Sequence, residues 1–230
     1  MTTKVLLKSV SGGVGKSFLA ANLANQLFSQ QQKVVLFEVS FCPVLPVFFG
    51  SRQLSSEIPP WKIQQYKLHD DFTLFCLKVD HTRPLSGVES LFRKALSGIN
   101  DLHYTVIIDA QCGLESLFDS GQISLSLEVV ACEPCSIATA RVHESDYVIL
   151  NKKDLRSPLS KDGVTLSREL FGDRLLCEIH FDMAIQEAYA NKQLLSAYAP
   201  ASPALQDLIR LSAQVSERLP QRGVLEPQPA

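Results

Sequence analysis

The segment best suited to chemistry is Ser11-Gly12-Gly13-Val14-Gly15-Lys16-Ser17, close to the start of the sequence. Its glycines let successive backbone N–H groups turn toward one anion, and the helix that we predict from Ser17 adds the positive end of its dipole. The Lys16 ammonium could reach the β- and γ-phosphates of a nucleoside triphosphate, while the Ser17 hydroxyl could bind Mg²⁺. The segment therefore predicts a phosphate-binding loop, with cofactor contacts from Gly12, Gly13, Val14, Gly15, Lys16, Ser17 and Phe18.

One position departs from the strict G-x-x-x-x-G-K-[ST] pattern, because Val10 stands where the first glycine belongs. A glycine-rich turn that contains Gly-Lys-Ser by chance is the alternative interpretation. A strand-like run precedes the segment and a helical pattern follows it, and this order of strand, loop and helix favours the phosphate-binding interpretation.

The elements that must position this loop follow from the apolar pattern of the chain. Nearly continuous apolar runs, typical of strands buried on both faces, occupy 4–10, 33–39, 73–79, 104–109, 127–132, 147–150 and 175–179. Amphipathic helical patterns lie between and after them, as in 17–31, 88–96 and 205–215. This alternation predicts a single-domain α/β fold over 1–218, with a doubly wound, mostly parallel sheet. We expect a disordered tail over 219–230.

Composition excludes several classes of protein. The 230 residues are 46% hydrophobic and 20% charged, with six scattered cysteines, which is globular composition rather than that of a disordered chain or a disulfide scaffold. The formal net charge of -2 does not favour nonspecific attraction to a nucleic-acid backbone. No apolar run approaches the roughly 20 residues that span a membrane, and we expect no secretory signal at the N-terminus.

The segment 50–67 is the least regular interior stretch, and it contains Pro59, Pro60 and the only tryptophan, Trp61. We expect a surface loop or a short helix there. Trp61 would either pack back on the body of the domain or mark a site for a partner.

The motifs together resemble the MinD/ParA family of P-loop ATPases, whose Walker A loop deviates from the common pattern. Gly-Gly-Val-Gly-Lys-Ser opens a helix rich in Ala, Asn and Leu, as in that family. The similarity continues to about residue 218, through the second strand at 33–40, the Walker B strand and turn at 104–113, the strand end at 150–152, and the C-terminal segments 179–182, 188–195 and 202–204.

This resemblance implies a MinD/ParA-like P-loop fold that binds ATP and Mg²⁺. Ser17 and Asp109 would hold Mg²⁺, and Lys16 and Asp109 would act at the phosphates. Asn151 and Asp182 would lie near the adenine base. The segments after Ser40 and Asp109 would be the switch regions that sense a partner.

Two residues of the family pattern are missing. The signature lysine falls at Ser11, and the catalytic aspartate falls at Ser40. Serine cannot act as a carboxylate base. Because Lys16, Ser17 and Asp109 remain, we expect nucleotide binding with slow or absent hydrolysis. The alternative is that Glu38 replaces the missing aspartate as a catalytic residue.

Two further motifs leave alternatives open. Asn151-Lys152-Lys153-Asp154 also fits the guanine-reading pattern Asn-Lys-x-Asp, so GTP is the alternative to ATP. Cys132-Glu133-Pro134-Cys135 is a C-x-x-C pair, and Cys112 lies in a turn similar to the switch region of the nitrogenase iron protein. A metal site is therefore an alternative to ordinary thiols, although the chain has no second C-x-x-C and no histidine at zinc spacing.

Within this superfamily, the chain resembles the accessory ATPases encoded with bacterial cellulose synthase, the BcsQ/YhjQ type. The resemblance rests on its short length and on the loss of the signature lysine and the catalytic aspartate. This resemblance implies a cytoplasmic protein that is recruited to the inner membrane through its partners. It would position or assemble a membrane-associated synthase or secretion complex, as a homodimer or a heterodimer.

Prolines in the segment 219–227 are incompatible with a basic amphipathic helix, so we expect no direct membrane insertion. Two other functions remain as alternatives. One is a ParA-type partition ATPase that acts with DNA, which the net charge disfavours. The other is a structural subunit that has lost its nucleotide.

Overall fold

The computed structural model describes residues 2–53, 55–97, 103–118 and 123–219. The strands β1 to β8 in these ranges are Thr3–Lys8, Lys33–Ser40, Ile63–His69, Phe72–Lys78, Tyr104–Ala110, Leu125–Ala131, Tyr147–Lys153 and Leu175–His180. The helices α1 to α8 are Lys16–Ser29, Leu45–Phe48, Gly87–Ser97, Pro134–Thr139, Pro158–Phe171, Met183–Ala190, Leu195–Tyr198 and Pro203–Arg218.

The strands form one sheet in the order β3-β4-β2-β5-β1-β6-β7-β8. Every neighbouring pair is parallel except β3 with β4, which is antiparallel. The chain winds outward from β1 to one side through β2 and to the other through β6 to β8. The carboxyl ends of β1 and β5 therefore lie beside the point where the winding reverses, which is where open α/β sheets bind ligands.

Helices cover both faces of the sheet because side chains alternate along each strand. Val5, Leu7 and Leu36 point to one face, where they pack with α1, α2, α6, α7 and α8. Leu6 and Phe37 point to the opposite face and pack with α3. On that second face, β6 and β7 pack with α4 and α5. The predicted doubly wound, mostly parallel α/β fold is confirmed.

The seven predicted strands all form, with ends shifted by one to three residues. The largest difference is at β7, which continues beyond the predicted end at 150 to Lys153. β1 ends at Lys8 rather than at residue 10, because the chain turns there into the glycine-rich loop. Helix α1 begins at Lys16, so the loop delivers Lys16 and Ser17 directly onto the first turn of the helix.

The prediction for 50–67 is wrong in part, because β3 begins inside it at Ile63. This strand lies at the edge of the sheet, so its side chains alternate between partly buried and exposed and none is fully buried. Trp61 does pack back on the body: it is 6% exposed, and its indole N–H donates to Asp80 Oδ1 at 2.7 Å.

The predicted tail lies outside the described residues except for Leu219, which is buried and donates its N–H to the carbonyl of Val215 at 3.1 Å. In the part of the chain that the structure describes, no helix combines the length and apolar character needed to cross a membrane. The division of the chain at 218 stays a prediction.

Candidate functional site

The conformation of the glycine-rich loop between β1 and α1 requires glycine at two positions. Gly13 and Gly15 have φ values of 76° and 93°, in the left-handed region that favours glycine. A Cβ atom at Gly15 would lie 2.3 Å from Asn151 Nδ2. Gly12 and Gly13 have no heavy atom within 4 Å of such a Cβ, so the outer part of the loop is open to a ligand.

This loop borders an apolar-lined opening beside the sheet, which we call the P-loop cleft. Its volume is about 820 Å³. The loop, the ends of β2 and β5, and helices α2 and α6 contribute its walls. The lining residues are Ser9, Ser11, Gly12, Gly13, Val14, Gly15, Lys16, Ser17, Phe18, Glu38, Ser40, Cys42, Val44, Phe48, Asp109, Gln111, Cys112, Ile185, Gln186 and Tyr189.

Lys16 is buried at the base of the P-loop cleft, where three acceptor groups surround its ammonium. Lys16 Nζ lies 3.8 Å from Asp109 Oδ1 and 3.7 Å from Glu115 Oε1. It also donates a hydrogen bond to the carbonyl oxygen of Ala110. The predicted pair of P-loop lysine and Walker B aspartate is therefore assembled, together with a second carboxylate.

Asp109 also accepts a hydrogen bond from the side chain of Ser17. Burial raises the pKa of Asp109, while the Lys16 charge and the Ser17 hydroxyl act in the opposite direction. A hydroxyl and a carboxylate side by side at the end of a phosphate-binding loop are oxygen ligands of the kind that Mg²⁺ prefers. The structure thus brings the two predicted Mg²⁺ ligands together.

Glu38 lines the cleft but is committed to the backbone. Its Oε1 accepts the N–H of Val44 at 2.7 Å, and its Oε2 accepts the N–H of Leu45 at 3.0 Å. The Cys76 thiol lies 3.4 Å from Oε2. Burial, reinforced by the neighbouring Asp109 charge, raises the pKa of Glu38 to about 8. These bonds fix the start of α2 and leave Glu38 only 1% exposed.

Ser40 stands at the end of β2, beside the turn that follows the neighbouring strand β5. Its hydroxyl donates to Gln111 Oε1 at 2.9 Å and accepts the N–H of Cys42 at the same distance. Gln111 Oε1 also accepts the N–H of Phe41. Ser40, which the family resemblance aligns with the catalytic aspartate, therefore presents a hydroxyl that links the two predicted switch segments. Ser11, which the resemblance aligns with the signature lysine, also lines the cleft.

The two residues predicted to lie near the base make internal contacts. Asn151 Nδ2 donates to the carbonyl of Val14 at 2.7 Å, which holds the end of β7 against the loop. Asp182 caps α6 through Oδ1, which accepts the N–H of Ala184, and its Oδ2 accepts the Ser202 hydroxyl at 2.6 Å. Neither lines the P-loop cleft, and their role at a base stays a prediction.

The carboxylate of Asp154, the residue that would read guanine, is bound by Arg156. Arg156 Nε and its backbone N–H approach Asp154 Oδ1 at 2.8 Å and 3.0 Å, and one guanidinium nitrogen approaches Oδ2 at 2.9 Å. These bonds lower the pKa of Asp154 to about 2. Both oxygens of the carboxylate therefore already have donors.

The cysteines divide into two sets by burial. Cys76, Cys132 and Cys177 are buried, whereas Cys42, Cys112 and Cys135 are exposed. The exposed set surrounds the loop, because Cys42 and Cys112 line the P-loop cleft and Cys135 borders its other side together with Val10 to Val14. Among the described residues, no group of three His, Cys, Asp or Glu side chains is placed to hold a metal ion.

One wall of the cleft was not predicted from the sequence. Ile185, Gln186 and Tyr189 reach the cleft from α6, and Tyr189 lies 5.0 Å from the Phe48 ring, centroid to centroid. Their spacing on one helix face, directly after the carboxyl end of β8, is the signal that could have indicated this wall.

Comparisons with known proteins agree with this geometry. The family model described as cellulose biosynthesis protein BcsQ matches residues 1–215. No curated protein sequence matches the chain. Two solved structures with similar folds are MinD proteins. MinD from Pyrococcus horikoshii, complexed with Mg-ADP, has a TM-score of 0.72 at 17% identity, over 94% of this chain and 97% of that one. The MinC:MinD cell division protein complex of Aquifex aeolicus gives 0.68 at 17% identity, over 94% and 96%.

A third solved structure is a putative plasmid partition protein of Borrelia burgdorferi bound to AMPPNP. It has a TM-score of 0.68 at 15% identity, over 95% of this chain and all of that one. At these identities the structures establish the fold, and the family model covers nearly the whole described chain. The chain therefore has the fold of the MinD/ParA P-loop ATPases and belongs to the cellulose biosynthesis protein BcsQ family.

Proposed function

We propose that this protein binds ATP and Mg²⁺ at the P-loop cleft, hydrolyses ATP slowly or not at all, and acts as a positioning or assembly factor for a bacterial cellulose synthase. The observation that carries the proposal is the site itself. Its phosphate-binding parts, Lys16, Ser17 and Asp109, are in contact, while a serine stands at the position of the catalytic aspartate.

The donor set fits a nucleoside triphosphate with its metal. The open backbone of Gly12 and Gly13 would hold phosphate oxygens, and Lys16 would neutralise their charge. Ser17 and Asp109 would hold Mg²⁺, which supplies positive charge at the phosphates. The comparison adds support, because the Pyrococcus MinD structure carries Mg-ADP and the Borrelia protein carries AMPPNP.

Weak hydrolysis follows from the groups that face the cleft. Ser40 cannot take a proton from an attacking water as a carboxylate could. Glu38 is the alternative base, but both of its oxygens accept backbone N–H groups of α2, and it would have to break these bonds to orient a water. The geometry therefore favours a protein that responds to bound nucleotide rather than one that turns it over.

ATP is favoured over GTP because Arg156 binds the carboxylate that would recognise guanine. The two Asp154 oxygens would have to exchange Arg156 for the N1–H and amino group of the base. This exchange would cost the Asp154–Arg156 bonds without an obvious replacement for the guanidinium.

The family and the similar solved structures support a role in cellulose biosynthesis that involves a protein partner. Membership in the BcsQ family supports a role in cellulose biosynthesis. MinD of Aquifex was solved in complex with MinC, which supports a protein partner here. We therefore propose a cytoplasmic factor that forms a homodimer or heterodimer and reaches the inner membrane through subunits of the synthase.

Calorimetric titration with ATP, ADP and GTP in the presence of Mg²⁺ tests the proposal. We expect ATP to bind, and Lys16→Ala to weaken binding by roughly ten- to a hundredfold, because a charge-assisted contact to phosphate is lost. Lys67→Ala is the matched control, since Lys67 pairs with Asp70 on the far edge of the sheet. Circular dichroism of each variant confirms folding.

Three results would contradict parts of this proposal. No binding of any nucleotide would leave a structural subunit. Preferential binding of GTP would assign the base to Asp154. Rapid phosphate release that Lys16→Ala abolishes would contradict slow or absent hydrolysis, and loss of that release in Glu38→Gln would identify Glu38 as the replacement base.

A further inference from the structure

Glu115 is the third acceptor around the Lys16 ammonium, and it belongs to a different segment from Asp109 and Ala110. Asp109 and Ala110 lie on β5, whereas Glu115 lies in the loop that follows, within a short 3₁₀ turn at Glu115–Leu117. Its side chain is 14% exposed, and its Oε1 is 3.7 Å from Lys16 Nζ. The contact therefore joins the loop after β5 to the phosphate-binding lysine.

The Glu115 carboxylate also fixes the path of this loop. Its Oε2 accepts the N–H of Gly113 at 2.6 Å, and its Oε1 accepts the N–H of Ser9 at 3.4 Å. Gly113 has a φ of 89°, so the chain makes a tight turn there. One carboxylate thus connects the end of β1, the turn after β5 and the ammonium of Lys16.

A bound triphosphate would compete with this arrangement. Lysine has three N–H donors, and in the structure Asp109, Ala110 and Glu115 provide three acceptor groups around them. Contact with phosphate oxygens requires the ammonium to give up at least part of this set. The negative charge of Glu115 also opposes the negative charge of a phosphate bound at the same lysine.

We propose that Glu115 is a positioning residue that holds Lys16 on the β5 side of the cleft. A bound nucleotide must then draw Lys16 away from Glu115, and the loss of this contact releases the loop 111–118. This inference rests on the nucleotide binding proposed above and adds its regulation. Glu115 thereby sets the affinity for ATP and couples ligand arrival to the loop after β5.

Titration of Glu115→Gln with ATP and Mg²⁺ tests the inference. We expect ATP to bind about three- to tenfold more tightly than to the wild type, because the competing charge is gone while an amide oxygen can still accept the N–H of Gly113. Glu115→Ala is a second variant that removes every contact of the side chain. Glu89→Gln is the matched control, because Glu89 pairs with Arg93 on the surface of α3.

The same variants report the contact without any nucleotide. Denaturant unfolding should show that Glu115→Gln lowers stability less in a Lys16→Met background than in the wild type, because the two substitutions remove one shared interaction. Additive losses would overturn the proposed contact. This arm does not depend on ATP binding.

The outcomes separate this inference from the proposed function. If Glu115→Gln and Glu115→Ala both bind ATP as tightly as the wild type or more weakly, the role of Glu115 is overturned while the proposed ATP binding stands. Absence of ATP binding by wild type and variants alike overturns both. Binding that appears only in the Glu115 variants supports the inference in its strongest form.

Discussion

Gly15 is the residue at which the loop tolerates the least change. Its φ of 93° is strained for any other residue, and an added Cβ would meet Asn151 Nδ2 at 2.3 Å. We predict that Gly15→Ala lowers the free energy of unfolding by roughly 2 to 4 kcal/mol, measured by denaturant titration.

Gly12→Ala is the control for this prediction, because nothing lies within 4 Å of its added Cβ. It should change stability by less than about 1 kcal/mol. Adding Asn151→Ala to Gly15→Ala should not restore full stability, since the backbone strain remains. Equal stability of Gly12→Ala and Gly15→Ala would contradict the structure of the loop.

The buried carboxyl of Glu38 makes the free energy of unfolding depend on pH. Its pKa in the folded protein is raised from 4.5 to about 8, so the folded state holds the proton more tightly than the unfolded state. The stabilisation is fully present below about pH 4.5 and is lost as pH rises through about 8. We predict that Glu38 contributes a decrease on the order of a few kcal/mol over this window.

Urea unfolding at about pH 5 and at about pH 8, near the two ends of this window, measures the effect. Glu38→Gln should show a shallower decrease than the wild type, whatever its stability at a single pH. Glu89→Gln should keep the wild-type slope, because Glu89 lies on the surface of α3. Identical slopes for wild type and Glu38→Gln would assign the pH dependence to other groups.

At the scale of elements, helix α6 depends on Asp182 for its first turn. The carboxylate accepts the N–H of Ala184 at 2.9 Å and the Ser202 hydroxyl at 2.6 Å, so it also connects α6 to the residue before α8. We predict that Asp182→Ala lowers the free energy of unfolding by about 1 to 2 kcal/mol, whereas Asp182→Asn, which can still cap, loses less.

Thermal or denaturant unfolding of the two variants, compared with ATP titration of each, distinguishes a cap from a ligand contact. A structural cap reduces stability in Asp182→Ala. Unchanged stability together with lost ATP binding would instead support the base-proximal role that the family resemblance implies for Asp182.

The sequence predicted elements best where burial is complete. Strands β1, β2 and β5 lie in the middle of the sheet, so their apolar runs are continuous and identify them. β3 was missed because it is an edge strand with Gln64, Gln65 and Lys67 among its seven residues. Its position depends on pairing with β4, which no local pattern reveals.

The candidate site was also predictable only in part from the sequence. Lys16, Ser17 and Asp109 follow from motifs, and the rule that parallel strands end at one edge brings them together. The other contacts at the site depend on loop paths and rotamers, as the Ala110 carbonyl at Lys16 and the Glu38 bonds to the start of α2 show. Those are set by tertiary packing rather than by residue type.

At the scale of the whole molecule, charge argues against a role on DNA. The formal net charge is -2, and nonspecific binding to a duplex requires several Lys or Arg contacts to phosphates. We predict that duplex DNA binds no more tightly than about 0.1 mM at physiological salt, with or without ATP. Fluorescence anisotropy of a labelled duplex measures this. Micromolar binding that weakens steeply with added salt would favour the ParA-type alternative.

The three exposed thiols give this protein natural attachment points for a fluorophore. Cys42 and Cys112 line the P-loop cleft, and Cys135 borders the other side of the loop. The remaining three cysteines are buried, so a maleimide dye would label the neighbourhood of the cleft without engineered residues. Emission from single-thiol variants would then follow ligand arrival in real time, and purification under reducing conditions would keep those reporters free.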